Sequence, residues 1–189
     1  MLRDLIISNR TCRRFDEEAA VDRRMLEELV DLARLSASAG NLQPLKYILS
    51  NEPQENAKVF PHLAWATYVK EWPGPAPGER PAAYIIILGD TQISKGFGCD
   101  HGIAAQSILL GAREKGLAGC MIGLIKREEL REAMNIPSRY EVLLVIALGK
   151  PREQAVIDEV ASGGDIKYWR DPDAIHHVPK RSLKEIIID

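Results

Sequence analysis

Two uninterrupted apolar runs of strand length, 82–88 (AAYIIIL) and 141–148 (EVLLVIAL), constrain this chain most. A strand that is apolar at nearly every position buries both faces, whereas a strand with one wet face alternates. Both runs therefore belong inside a sheet covered on each side. Between them lies 101–115, apolar on nearly every face through Ile103, Ala104, Ala105, Ile108, Leu109, Leu110 and Ala112. A helix of that kind is expected at the centre of a fold and enclosed, with Gly116 as its terminating glycine.

Weaker signals surround this core. Leu2, Leu5 and Ile6 predict a short opening helix that ends near Asn9. Asp22 reads as the N-cap of an amphipathic helix whose buried face is Met25, Leu26, Leu29, Val30 and Ala33. Strands are expected at 45–50 (LKYILS) and 117–122 (LAGCMI), and a short charged helix at 126–134. In 51–81 a helical spacing at Phe60, Leu63 and Ala64 is interrupted by Pro61, and 72–81 (WPGPAPGERP) is a loop by composition. Beyond 149–151 the chain turns polar and irregular. A tail of about forty residues without its own core must pack on something, a second subunit being one candidate. Helices alternating with buried strands give an α/β or α+β class.

At 189 residues one domain is expected, with 46% apolar and 28% charged residues, which excludes a disordered chain. Twenty-five basic against 27 acidic residues give a net charge of −2, so nucleic acid is not an expected partner and any bound anion needs a local cationic cluster. Cys12, Cys99 and Cys120 are far apart and lack metal-ligand spacing, so neither a disulfide framework nor a zinc site is expected. No run is long enough to span a bilayer and the start lacks a secretory apolar core, so a cytoplasmic protein is the expectation.

Four segments carry chemistry. Residues 9–15 (NRTCRRF) put three arginines and a hydroxyl beside a core anchor, Phe15. These are fork-shaped donors for a phosphate or carbonyl, or simply a solvated charge run. Residues 36–44 (SASAGNLQP) combine small residues with the amides of Asn41 and Gln43, suited to a flat ligand or to an ordinary connection. Residues 116–123 (GLAGCMIG) form a glycine-punctuated strand whose backbone can face a ligand, but no dinucleotide or P-loop fingerprint is present. In 176–183 (HHVPKRSL), Lys180 and Arg181 form a second cationic group, and the two histidines lack metal-ligand company.

In this order the four segments resemble the nitroreductase family of flavoproteins: an arginine-rich motif at 9–15, a P-S-A-G-N-x-Q-P-like stretch at 37–44, a G-L-G-x-C-x-I-G-like stretch at 116–123, and a late basic pair before L-x-E-I-I at 180–187. The resemblance implies an α+β fold with a central, mostly antiparallel sheet flanked by helices. It implies a single FMN-binding domain over 1–189 and an intertwined homodimer in which 150–189 extends onto the second subunit. By the same resemblance Arg10 and Thr11 lie along the ribityl-phosphate arm, Arg13 reaches the pyrimidine edge of the ring, and Lys180 and Arg181 complete the phosphate site. Ala37, Ser38, Asn41 and Gln43 approach from the other subunit, and Met121, Ile122 and Gly123 pass beside the ring. Asn9, Thr11, Ala37 and Leu45 stand where the family usually has arginine, serine, proline and an aromatic residue.

The implied activity is an FMN-dependent oxidoreductase reducing quinones or nitroaromatics with NAD(P)H by a ping-pong mechanism. The alternatives are another FMN reaction on the same scaffold, such as dehalogenation or desaturation, or a non-catalytic flavin-binding or redox-sensing protein. The flavin carries the redox chemistry, no protein nucleophile is expected, and Cys12 and Cys120 are structural. Trp65, Tyr68 and Trp72 are candidates for a wall over the acceptor, or for core packing.

Overall fold

The computed structural model describes residues 1–66, 68 and 72–188. In chain order the elements are α1 (Leu2–Ser8), β1 (Phe15–Asp16), α2 (Arg23–Arg34), β2 (Leu45–Ser50), α3 (Pro53–Val59), β3 (Ala83–Asp90) and α4 (Asp100–Glu114). Then come β4 (Ala118–Ile122), α5 (Arg127–Ala133), β5 (Tyr140–Pro151), β6 (Ala155–Glu159), β7 (Trp169–Arg170), β8 (His176–Lys180) and α6 (Leu183–Ile186).

The two apolar runs are neighbours, β3 and β5, paired antiparallel from Ala83↔Leu148 to Asp90↔Tyr140. β2 adds to the outer edge of β3, and β4 and β1 lie one after the other along the far edge of β5. Every ladder in this five-stranded sheet is antiparallel. All eight residues of β3 are buried, and alternation sorts them between two cores. Tyr84, Ile86 and Leu88 pack with Phe15, Cys120 and Leu130 on one face, while Ala83, Ile85 and Ile87 pack with α2 and α4 on the other. That is why this strand reads as apolar throughout.

The local signals act where the sequence places them. Asp22 accepts a hydrogen bond from Met25 N–H at 2.7 Å and starts α2. Gly116, at φ +78°, follows the end of α4, where Leu117 N–H returns to Ala112 O at 2.9 Å. No helix among the described residues is long and apolar enough to cross a membrane.

Three expectations are corrected. In 51–81 the helix is Pro53–Val59, with Pro53 in its first turn, and Pro61 sits in a 3-10 turn after it. The periodicity at Phe60, Leu63 and Ala64 is not helical: Phe60 and Leu63 reach the core from a turn and a bridge, Leu63↔Ile125, and Ala64 is exposed. Second, α4 is not enclosed by its own chain alone: Ala104, Ala105, Ile108 and Ala112 are buried, but Ile103, Gln106 and Leu110, on another face, are not. Third, the stretch after Pro151 is not irregular. It forms a second sheet, ordered β6-β8-β7, with β6 and β8 parallel and β7 antiparallel to β8. Arg152 N–H donates to Arg14 O at 2.9 Å, and Arg170 pairs with the buried Glu153 at 2.7 Å, so this sheet is fastened to its own chain. The last turn, with Leu183, Ile186, Ile187 and Ile188, stands exposed.

Candidate functional site

Residues 9–13 leave α1 and run beside β4, where Cys12 N–H donates to Gly119 O at 2.9 Å and Thr11 bridges Gly119. Cys12 and Phe15 turn inward to the core. Asn9, Arg10, Thr11 and Arg13 border a cavity of about 300 Å³. Its floor comes from Gln106 and Leu109 of α4 and from Gly119 and Met121 of β4. Glycine is required at 119, because a β-carbon there would lie 2.6 Å from both Ala147 O and Leu109 Cδ2. Alternation along β4 buries Cys120 and Ile122 and turns Met121 outward.

The remaining wall is the C-terminal sheet. Tyr168 contributes from just before β7, and His176, Val178 and Lys180 from β8. The last three are spaced by two, so one face of the strand looks into the cavity. The wall is held from behind by Glu153, whose carboxylate accepts from Arg170 and from the backbone N–H of Arg13.

The cavity is electropositive. Arg10, Arg13 and Lys180 border it, and no Asp or Glu does among the described residues. Arg10 donates from Nη2 to Ile6 O at 2.6 Å, while its buried Nε has no partner among the described residues. Burial lowers the Arg10 pKa from its ordinary value, but a guanidinium stays charged. Arg13 donates from Nε to Trp65 O at 2.8 Å, and its guanidinium lies 4.9 Å from the Tyr168 ring centre. The nearby thiols do not offer nucleophiles. Burial, then Glu153, pushes Cys12 up to about 12, and burial pushes Cys120 up to about 11.

The structure therefore brings Arg10, Thr11, Arg13, Met121 and Lys180 together. It does not bring all the others with them. Arg181 forms an ion pair with Glu185 and does not border the cavity. The Ile122 side chain is buried in the core and Gly123 is exposed beyond it. Ala37, Ser38 and Gln43 border a separate cavity of about 200 Å³ between α2, β2 and the start of α4. There the Asp100 carboxylate, 3% exposed, accepts from Ser38 Oγ at 2.6 Å and from Ala39 N–H at 3.0 Å. Gln43 N–H donates to Ser38 Oγ at 3.0 Å. Gly40, Asn41 and Gln43 all hold positive φ, so a buried carboxylate clamps a strained loop.

Of the three aromatic candidates, Trp65 follows the core-packing alternative: it is 5% exposed, and its ring lies 5.7 Å from that of Phe60 in a tilted arrangement. Trp72 is half-buried beneath Arg170, whose guanidinium is 4.9 Å from the indole centre. Tyr68 is exposed and lies 5.1 Å from Tyr168. Tyr168 is the aromatic residue that borders the cavity, together with His176, Val178, Gln106 and Leu109, none of which the sequence singles out as a site. The spacing of His176, Val178 and Lys180 is the one signal that was available for part of this set.

The model of the nitroreductase family matches residues 6–150. This chain belongs to the nitroreductase family. It is 27% identical over 180 residues to an Archaeoglobus fulgidus protein provisionally named an NADH dehydrogenase/NAD(P)H nitroreductase, covering 91% of this chain and 94% of that one. Among solved structures, the fold is shared with a nitroreductase family protein from Clostridium novyi NT at TM-score 0.67 and 20% identity, covering 98% of each chain. It is also shared with an FMN-dependent nitroreductase from Clostridium difficile R20291, at TM-score 0.66 and 21% identity over 79% of this chain and 87% of that one. The family match includes the arginine motif, the 37–44 loop and β4, and stops before the C-terminal sheet that walls the cavity.

Proposed function

We propose that this chain is an FMN-dependent oxidoreductase that draws electrons from NAD(P)H and passes them to a quinone or nitroaromatic acceptor. The observation that carries the proposal is the electropositive cavity where the arginine motif, β4 and the C-terminal sheet converge. Its composition fits a flavin mononucleotide. Cations unopposed by a carboxylate suit a phosphate dianion, and Arg10 Nε is a buried donor without a partner. Leu109, Met121, Val178 and Tyr168 suit a flat ring system.

FMN supplies the electron-transfer chemistry when bound. Arg10, Thr11 and Lys180 hold the phosphate arm, with Arg181 removed from that set by its pairing to Glu185. Arg13 offers its guanidinium to the pyrimidine edge, where a cation favours the negative charge of reduction. Met121 and the backbone of 121–123 run beside the ring. The cavity is at the small end of ligand pockets, which run from roughly 300 to 1,000 Å³. A second copy of the chain, bringing Ala37, Ser38, Asn41 and Gln43, therefore completes the site in a homodimer. Because the Ser38 hydroxyl proton is committed to Asp100, Ser38 acts there by shaping the loop. One site serving nicotinamide and acceptor in turn gives ping-pong kinetics.

The test is the visible spectrum of the purified protein with FMN, followed under anaerobic NADH or NADPH and then menadione. Flavin absorbance that bleaches with NAD(P)H and returns with menadione, with parallel double-reciprocal plots, is expected. Flavin uptake without bleaching would replace this reading with a flavin-binding or redox-sensing protein. A protein that takes up no FMN ends the flavin reading.

A further inference from the structure

The strand β8 presents His176, Val178 and Lys180 to the cavity on one face. At about 3.3 Å per residue, His176 and Lys180 lie roughly 13 Å apart along the strand. They therefore meet opposite ends of a long ligand. Lys180 supplies charge. His176 sits at the other end of this face, its ring 5.1 Å from that of Tyr168, which in turn lies beneath Arg13.

His176 is 2% exposed, and its backbone N–H donates to Gln154 O at 2.8 Å. Its Nδ1 is buried and has no hydrogen-bond partner among the described residues. Buried polar atoms in native structures are nearly always paired, so one left open beside a cavity points to a partner that is not protein. The neighbouring histidine, by contrast, meets its ring nitrogens within the chain. His177 places both ring nitrogens on carboxylates, Asp158 at 2.8 Å and Asp171 at 3.4 Å. Burial, with Arg13 and Arg170 nearby and only Glu153 opposing, lowers the His176 pKa. The ring is thus a neutral donor and acceptor rather than a cation.

We propose that His176 is a ligand contact, hydrogen-bonding the heteroatom edge of the flavin ring while Lys180, at the other end of β8, binds the phosphate. This rests on the flavin reading above. The strand acts as a ruler along the cofactor, charged at one end and neutral at the other.

The two ends separate when FMN is compared with riboflavin, which lacks the phosphate. Dissociation constants of both flavins are measured by fluorescence quenching for wild type, H176F, H176Q and K180A. Both His176 variants are expected to weaken FMN and riboflavin alike, by about 3- to 10-fold, the scale of one hydrogen bond. K180A should weaken FMN and leave riboflavin unchanged. A His176 effect confined to FMN, or wild-type affinity of both His176 variants for both flavins, overturns the proposal. The ring ¹⁵N resonances of His176 in the wild-type protein give the same test without a substitution. They are expected to move on FMN addition, and unmoved resonances in a protein that binds FMN overturn the contact alone. Wild-type protein that binds neither flavin overturns the flavin reading and this contact together.

Discussion

At the scale of single residues, the two most consequential side chains are a buried anion and an exposed cation. Asp100 fastens the 38–43 loop through two hydrogen bonds, to Ser38 Oγ and Ala39 N–H. Removing the carboxylate leaves both donors without their acceptor, so Asp100→Ala is expected to cost about 1–3 kcal/mol, read from the urea midpoint. Asp100→Asn keeps the volume and one acceptor, and should cost less. Lys180 works through charge. Lys180→Ala should weaken FMN about tenfold at low ionic strength and by less at high salt, because screening already diminishes the wild-type attraction. Equal salt slopes for the two proteins would remove Lys180 from the phosphate site. The apolar residues of β3 and β5 were legible because all of β3, and Val142 and 145–148 of β5, are buried, so chemistry and position agree without reference to neighbours. Trp65 was not legible: whether an indole walls a site or fills a core depends on what stands around it, and here Phe60 does.

At the scale of elements, the C-terminal sheet has a titratable joint. His177 on β8 faces Asp158 on β6 and Asp171 just after β7, stacks at 4.1 Å on Trp169, and is flanked by His176. Burial works to lower the His177 pKa, but the two carboxylates outweigh it and hold it above the ordinary imidazole value. A raised folded-state pKa means that protonation favours the folded sheet. That stabilisation is complete below the unfolded value, about 6.5, and is lost as pH rises through the folded one. Trp169 fluorescence should therefore titrate above pH 6.5 as the joint opens, and the transition should vanish in His177→Gln. A transition centred below 6.5 would contradict the pairing. This sheet was hidden in the sequence for a physical reason. Its strands are short, carry Asp, Glu, His and Pro179, and show little apolar alternation, so pairing between distant segments stabilises them rather than local preference. The 101–115 helix was legible as an element, and within its own chain one face stays open, with Gln106 at the cavity.

At the scale of the whole molecule, exposed apolar residues form a group at each end of the chain. Leu2, Ile6 and Ile7 of α1, with Ile157, border one open apolar surface, and Leu183, Ile186, Ile187 and Ile188 another. Such surfaces suit association between copies. Truncation after Ser182 is expected to leave the central sheet within about 0.5 kcal/mol of wild-type stability, since these side chains bury little in their own chain. If the proposed homodimer is held through these ends, the same truncation should shift its sedimentation toward monomer and lower FMN uptake. An unchanged dimer would place the interface elsewhere.

The sequence by itself determined the elements whose stability is local or whose burial is nearly complete, namely the capped α2, the glycine-ended α4 and the apolar strands β3 and β5, and through its motifs it resembled the family. It also named Arg10, Thr11, Arg13, Met121 and Lys180, because arginine clusters and glycine-rich strands announce chemistry through residue type. Only the tertiary structure decided that Arg181 turns away to Glu185, that Ser38 serves Asp100, and that Tyr168 and His176 close the cavity. Those outcomes depend on which distant side chain arrives within about 3 Å of a polar atom, and hydrogen bonding at that range is set by packing in three dimensions rather than by spacing along the chain.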